Sequence, residues 1–478
     1  MQLPSIFPVA CHTDNVGPGT TFVVIKGRSC DGMAYVPLAL VRGATTIVVQ
    51  HDAVISPAMR YMFDDYHAQV VRVDDTRRAL AVLSAQAAGH PAHRLKIIGV
   101  TGTKGKTTSV FLLEHMFKTA GYATALLSSV KNSIIGHDFA TNLTTQQPDY
   151  LHVFFDLCVQ AGVTHVVMEV AAQAVTLYRT FGLQFDALLF TNFDHEHAEF
   201  YETQEDYFNA KYALFAQCTP TQPVVMINAD DARGREILAK NPTFLSFSLR
   251  HHDARYQAQL HGDQHVQVDM RLQDKDVATV DCALVCPTLL GVFNAYNCTG
   301  AAALALTLGL QPDALQKACA SFTGVPGRME RFVLANGAIG YVDYAHNPSS
   351  YENLLSLLRS LTDHLIVVFG AGGQRDREKR PIMGAIAARY ADLIVLTTDN
   401  PRTEDPHRIT EEIVAGMCEA VTKSVHIFDR AQAIGYAYAQ SRSGTIIAIL
   451  GKGADEYQMI GTTKYFFSDR QMIGQYAQ

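Results

Sequence analysis

Hydrophobic and polar positions alternate along this chain in blocks that predict an α/β protein. Residues 21–50 read as a strand (TFVVIKG), a polar turn, a helix and a second strand (TTIVV), and the rhythm continues weakly through residue 73. The segment 87–94, AAGHPAHR, carries Gly, Pro and two His between patterned regions and marks a boundary. From Leu95 the rhythm sharpens. LKIIGV predicts a strand, and residues 107–120 a helix with Val110, Leu113, Phe117 and Ala120 on one face and Gly121 just past its end. THVVMEV, FDALLFTN and TQPVVMIN follow as buried strands spaced to leave room for helices, the alternation of a parallel sheet. Residues 244–290 differ: FLSFSL and HVQVDMRL alternate and predict a small antiparallel portion. After VPGRMER, near residue 331, a third α/β run begins. Its strands HLIVVFG, ADLIVLTT and GTIIAILG each end in a polar, Gly-bearing loop, where open parallel sheets place ligands. The expected segmentation is 1–93, 94–328 and 329–478.

Composition narrows the class. A chain of 478 residues exceeds one ordinary core. With 48% hydrophobic and 18% charged residues it is of ordinary globular composition. A net charge of −7 argues against a nucleic-acid groove over much of the surface. The N-terminus lacks the basic and apolar regions of a signal peptide, and no apolar run approaches a membrane span. Nine scattered Cys, with no CxxC pair, predict neither a zinc site nor a disulfide framework, and the expected compartment is the cytoplasm.

The chemistry concentrates first in GVTGTKGKTTS, residues 99–109. Val100 stands where the strict Walker pattern needs Gly, yet strand, Gly-bearing turn and helix follow in the right order. Gly102 and Gly105 let successive N–H groups wrap a phosphate, with Thr103, Lys104 and Thr108 in the loop. The helix N-terminus adds partial positive charge. Lys106 would neutralise the β- and γ-phosphates of ATP, and Thr107 would offer its hydroxyl to Mg²⁺.

This loop resembles the G-x-T-G-T-x-G-K-T-[TS] ATP loop of the Mur ligase family, ATP-dependent amide-bond ligases of peptidoglycan synthesis, and the resemblance covers nearly the whole chain. It implies an α/β protein of three domains, with a central P-loop ATPase-like parallel sheet and a Rossmann-like C-terminal domain. VVMEV (166–170) is similar to the strand with the family's metal-binding Glu, here Glu169. FTNFDHEHAEF (190–200) resembles its T-N-x-x-x-D-H motif, with His197 in the metal-ligand position and Glu196 where Asp is usual. Lys211 falls where the family has a carbamylated lysine. LLGVFNAYN (289–297) resembles a nucleotide-associated segment, here with Asn294. VPGRMER and VDYAHNPSS match the hinge to the third domain and imply Arg328, Asp343 and His346 as nucleotide-binding residues. HTDNVGPGTTF, with Asp14, resembles the uridine-binding segment. NLTTQQPD, with Thr144 and Thr145, resembles the muramoyl-binding segment, and Arg179 is its basic partner.

The third domain resembles the MurE type, which adds the third residue of the peptide stem. GAGGQRDREKRPIMG, TTDNPRTEDP and GKGADEYQ each follow a strand. D-N-P-R marks enzymes that take meso-2,6-diaminopimelate. Arg402 can fork onto its distal carboxylate with help from Arg375. Asp399, Asn400 and Asp455 can accept its ammonium hydrogens, beside Gly451. The resemblance thus implies a cytoplasmic, monomeric ligase that uses ATP and Mg²⁺. It would join UDP-N-acetylmuramoyl-L-alanyl-D-glutamate to diaminopimelate through an acyl phosphate, with Lys106, Lys211, His197 and Glu169 as catalytic groups. Besides Glu196, the chain departs from the pattern near both substrate sites. E-V-S-S-H is Glu169-Val170-Ala171-Ala172-Gln173 here, and G-K-G-H-E ends in Ala454-Asp455. L-lysine or another diamino acid as acceptor, and a non-catalytic nucleotide-binding role, stay open at this point.

Overall fold

The computed structural model describes all residues except 28–29, 195, 197–199, 218–221, 252, 264–266 and 277–280, and leaves aside the side chains of 217, 419 and 420. Three sheets follow one another along the chain. The first has four parallel strands in chain order, Val9–Ala10, Thr21–Val23, Thr46–Gln50 and Gln69–Val73. Its core is Phe22, Val36, Leu40, Ile47, Val49 and Phe63, where the strands meet the helices Val36–Val41 and Pro57–Asp65.

The second sheet is the centre of the molecule. Lys96–Thr101 lies between His165–Glu169 and Ala187–Phe190, parallel to both. From Ile97 onward it is buried, which is why it reads as an unbroken apolar run rather than an alternation. The helix Lys106–Thr119 is buried all round over Thr107–Leu113, with Phe111, Leu112 and, further on, Met116 inside as well as Val110, Leu113 and Phe117 of the face read from the sequence. The cause is a second cover, the alanine-rich helix Val292–Thr307, whose small side chains allow close approach. The expected antiparallel portion is present in residues 256–286, but FLSFSL is not part of it. Leu245–Ser248 pairs parallel with Val224–Asn228, and the antiparallel set Tyr256–Leu260, Val268–Asp274 and Asp281–Cys286 continues the same sheet. Alternation reports one wet face and not strand direction.

The third sheet runs Glu330–Val333, Ile339–Asp343, Ile446–Leu450, Leu365–Phe369, Leu393–Leu396, Ser424–His426, with only the first strand antiparallel. The connection from Ile339–Asp343 to Leu365–Phe369 crosses over Ile446–Leu450. Loops leaving the carboxyl ends of these strands therefore gather at one edge, where such sheets place ligands. A two-stranded hairpin, Tyr457–Ile460 with Thr463–Phe466, follows the last parallel strand. Among the described residues no helix is long and apolar enough to cross a membrane.

Candidate functional site

The phosphate loop sits where the predicted strand and helix meet. Gly102 has φ +145 and Gly105, just before the helix, φ +81. A Cβ on Gly102 would meet Thr191 Oγ1 at 2.0 Å, and one on Gly105 would meet Asn297 Oδ1 at 2.1 Å. Conformation and space both demand glycine here. The loop is pinned from the neighbouring strand end. The Lys104 N–H donates to Asn192 Oδ1 at 2.9 Å, the Thr103 N–H to the Asn192 carbonyl at 2.8 Å, and Thr191 Oγ1 to the Lys104 carbonyl at 2.6 Å.

Two buried lysines converge on one carbonyl of this loop. Lys106 Nζ donates to the Gly102 oxygen at 2.9 Å and to Thr103 at 2.8 Å, while Lys211 Nζ reaches the same Gly102 oxygen at 2.7 Å. Burial lowers the pKa of both ammonium groups, and Lys106 pushes that of Lys211 further down. Lys211 also lies 4.5 Å from the centre of the Tyr207 ring. An anion at this loop would relieve the crowded positive charge.

Oxygen donors stand beside the helix start. Thr107 Oγ1 is 3.0 Å from Ser129 Oγ. Glu169 Oε1 accepts from the Ser129 N–H at 2.8 Å and from its hydroxyl at 3.1 Å. Arg328 Nη2 lies 3.5 Å from Thr107 Oγ1 and 3.4 Å from Ser129 Oγ. A guanidinium so placed marks a point where these oxygens face a cation. A hard divalent ion such as Mg²⁺ fits this donor set. His197, the third expected ligand, lies outside the described residues. Among the described residues no cluster of three or more His, Cys, Asp or Glu forms a metal site.

Several predicted residues act on the protein itself. Asp343 accepts from the Met329 and Ala345 N–H groups, each at 2.7 Å, and so fixes the residue next to Arg328. His346 points its Nε2 at Glu196, 3.4 Å away, and its Nδ1 lies 2.8 Å from the Tyr344 carbonyl. Asn294 donates to the Leu290 carbonyl at 2.9 Å and accepts from Asn297 at 3.1 Å; Asn297 is the residue whose amide lies against Gly105. Thr145 stitches the strand end of Glu169 to Ala171, donating to the Glu169 carbonyl at 2.9 Å and accepting from the Ala171 N–H at 3.0 Å. Thr144, beside it, is half-buried. Arg179 donates to the Thr145 carbonyl at 2.8 Å, but its buried Nε has no hydrogen-bond partner among the described residues. Burial and nearby Arg77 lower the pKa of its guanidinium, so an anion is the complement. Asp14 is exposed, 2.9 Å from Arg42.

A second cluster lies at the edge of the third sheet. Arg402 and Arg375 flank Gly372, and Arg402 Nη1 donates to the Gly373 carbonyl at 2.7 Å. Burial and the Arg375 charge lower the Arg402 pKa. Asp399 is buried against Gly451, 3.9 Å from Lys452 Nζ. Burial raises the Asp455 pKa, and Asp399 adds to the rise. The expectation for Asn400 changes: its Oδ1 already accepts from the Met459 N–H at 2.8 Å and Lys452 Nζ at 3.3 Å, which leaves the N–H₂ as the end of the amide available to donate. Arg328 joins the two clusters, its guanidinium 4.4 Å from the centre of the Tyr344 ring while it reaches Thr107 and Ser129.

Sequence reasoning missed the groups that bridge distant segments. Ser129 carries no motif. Asp194 Oδ2 accepts from Lys104 Nζ at 2.7 Å and from Ser349 Oγ at 2.6 Å, tying the phosphate loop to the first turn of the helix Pro348–Ser360. Glu196 Oε1 accepts from Asn347 Nδ2 at 3.1 Å. Only the longer Glu at 196 hinted at a contact across this cleft.

Comparison with known proteins agrees with this geometry. Residues 100–305 match the Mur ligase middle domain, and residues 327–453 the Mur ligase, glutamate ligase domain. The chain is 35% identical to UDP-N-acetylmuramoyl-L-alanyl-D-glutamate–2,6-diaminopimelate ligase of Chlorobium phaeobacteroides, over 97% of this chain and 91% of that protein. It is 38% identical to the ligase of the same name from Synechococcus elongatus, over 95% and 90%. A solved structure of a ligase of that name superposes with a TM-score of 0.64 at 26% identity, covering 98% of this chain and 94% of the other.

Proposed function

The chain belongs to the Mur ligase family, and from that premise we propose that it joins meso-2,6-diaminopimelate to UDP-N-acetylmuramoyl-L-alanyl-D-glutamate at the expense of ATP. The carrying observation is Arg328, which touches the phosphate-loop hydroxyl of Thr107 on one side and Tyr344 of the third unit on the other. A carboxylate activated at the first cluster would there meet an amine held at the second. The units 1–93, 94–328 and 329–478 would hold the nucleotide sugar, ATP and the amino acid, in a monomer working in the cytoplasm.

Residues 102–108 would hold ATP, with the loop N–H groups and Lys106 for its phosphates and with Asn294, Arg328, Asp343 and His346 completing or supporting its site. Thr107, Glu169 and His197 would hold Mg²⁺, which shields phosphate charge when bound. The γ-carboxylate of D-glutamate attacks the γ-phosphorus, ADP leaves, and an acyl phosphate forms. Positioning and charge neutralisation are what such a transfer requires; the loop N–H groups supply the first and Lys106, with the metal, the second. The free α-amine of diaminopimelate then attacks the acyl carbon and phosphate departs as the amide forms. Lys211 is buried, and burial and then Lys106 push its ammonium pKa down; carbamylation there, as the family resemblance implies, would turn it into an oxygen ligand. Asp14, Thr144, Thr145 and Arg179 are placed to hold or frame the muramoyl substrate. Arg375 and Arg402 face the distal carboxylate, and Asp399 and Asp455 the distal ammonium.

The test is phosphate release with Mg²⁺, ATP and the muramoyl dipeptide, with diaminopimelate or L-lysine as acceptor. Release with diaminopimelate, together with the tripeptide mass, supports the reading. Lysine preference refutes the role given to Arg402. Nucleotide binding without turnover on either acceptor refutes the reaction.

A further inference from the structure

The hairpin Tyr457–Ile460/Thr463–Phe466 has four residues in each strand, and its second strand is exposed throughout. A lone hairpin of this size is marginal in water. What holds it is the loop carrying Arg402. In a hairpin closed by a two-residue turn, the pair flanking the turn is hydrogen-bonded and the next pair is not. Gly461 and Thr462 make that turn, Ile460 faces Thr463, and Met459 faces Lys464. The backbone of Met459 therefore points away from its own hairpin. Its N–H donates to Asn400 Oδ1 at 2.8 Å, and its carbonyl accepts from the Arg402 N–H at 3.1 Å. The Gly461 N–H donates to the Arg402 carbonyl at 2.8 Å, completing a parallel bridge between Arg402 and Ile460. Gln458 Nε2 adds a bond to the Thr398 carbonyl at 3.1 Å. Arg402 sits at φ +53, a conformation rare for a residue with a side chain. From that backbone its guanidinium reaches the Gly373 carbonyl beside Arg375.

We propose that this hairpin is a specificity-positioning element of the amino-acid site, and that Met459 is the positioning residue that fixes Asn400 and Arg402 through its main chain. The proposal rests on the reading of Arg402 as a carboxylate partner. It explains why Asn400 keeps its N–H₂ available to donate, since Met459 and Lys452 occupy its oxygen. It also makes the side chain of Met459 irrelevant to recognition and its N–H essential.

The experiment compares M459P, which removes that single N–H, with M459A, which keeps it, and with Q458L, which removes the bond to Thr398. Steady-state constants are measured for ATP, diaminopimelate and lysine, alongside melting temperature. In M459P the KM for the acceptor that the parent enzyme uses rises about tenfold or more, while the KM for ATP and kcat at saturating acceptor stay within about twofold. M459A behaves as the parent, and Q458L shifts the acceptor KM in the same direction by less. If M459P does not fold, Q458L decides. An unchanged acceptor KM in folded M459P, or in Q458L where M459P does not fold, overturns the proposal, as does an equal change in the KM for ATP, which would mark a general structural role. The acceptor preference of the parent reports separately on the reading beneath it, because the hairpin is scored on whichever acceptor the parent uses.

Discussion

Replacing Arg402 by Met removes the distal-carboxylate partner while keeping an unbranched side chain of similar reach. Two charge-assisted hydrogen bonds from a partly buried guanidinium are each worth about 1.5–3 kcal/mol. Two losses act against this in the parent: the guanidinium already donates to the Gly373 carbonyl at 2.7 Å, and Arg375 repels it. A net loss of about 3 kcal/mol is the expected outcome, which lowers kcat/KM for diaminopimelate roughly 150-fold. Lysine has no distal carboxylate, so its kcat/KM changes by less than about threefold. The assay is phosphate release under kcat/KM conditions with each acceptor, with melting temperature as the control for folding. Relief of the Arg375 repulsion offsets the orphaned Gly373 carbonyl, so the melting temperature changes little. An equal fall for both acceptors would refute the reasoning, because Arg402 would then serve the fold or the transfer step and not the carboxylate.

Three further outcomes are expected. Gly105→Ala forces a Cβ toward Asn297 Oδ1 at φ +81, a conformation that alone costs about 1–2 kcal/mol, and weakens ATP binding in calorimetry at least tenfold; G105A/N297A restores only the steric part. Arg430 and Asp469 form an ion pair with no exposure, 2.7 Å apart, so Arg430→Met leaves a buried carboxylate and destabilises by about 3–5 kcal/mol in denaturant titration, partly recovered in R430M/D469N. His152 is buried, with its Nδ1 unpartnered among the described residues, and burial first, then His90 and His93, lower its pKa from 6.5 to about 4. A pKa depressed on folding leaves stability intact above about pH 6.5 and removes it as pH falls toward about 4, by roughly 3 kcal/mol in all. H152L flattens that part of the stability–pH curve, and an unchanged slope refutes the assignment.

The sequence by itself determined the phosphate loop. From Ile97 onward the strand Lys96–Thr101 is buried and so reads as an apolar run, and the two glycines and Lys106–Thr107 follow within a few residues. Local spacing carries that information because strand, turn and helix are contiguous. The same holds for the strands ending at Phe369, Leu396 and Leu450 and for the loops after them. Other features depended on which segments meet. Whether Leu245–Ser248 joins its neighbour parallel or antiparallel is decided by the whole sheet, because alternation is the same in either direction. Ser129 faces Glu169 from 40 residues away, and Lys104 meets Ser349 from 245 away, too distant for any local pattern to record. The hairpin strand Thr463–Phe466 has no buried face, so it left no hydrophobic period, and the strand it pairs with, Tyr457–Ile460, is bridged to the loop of Arg402. Asn400 shows the division most plainly. Its motif marks it as a site residue, but only the folded position of Met459 decides which end of its amide remains for a ligand.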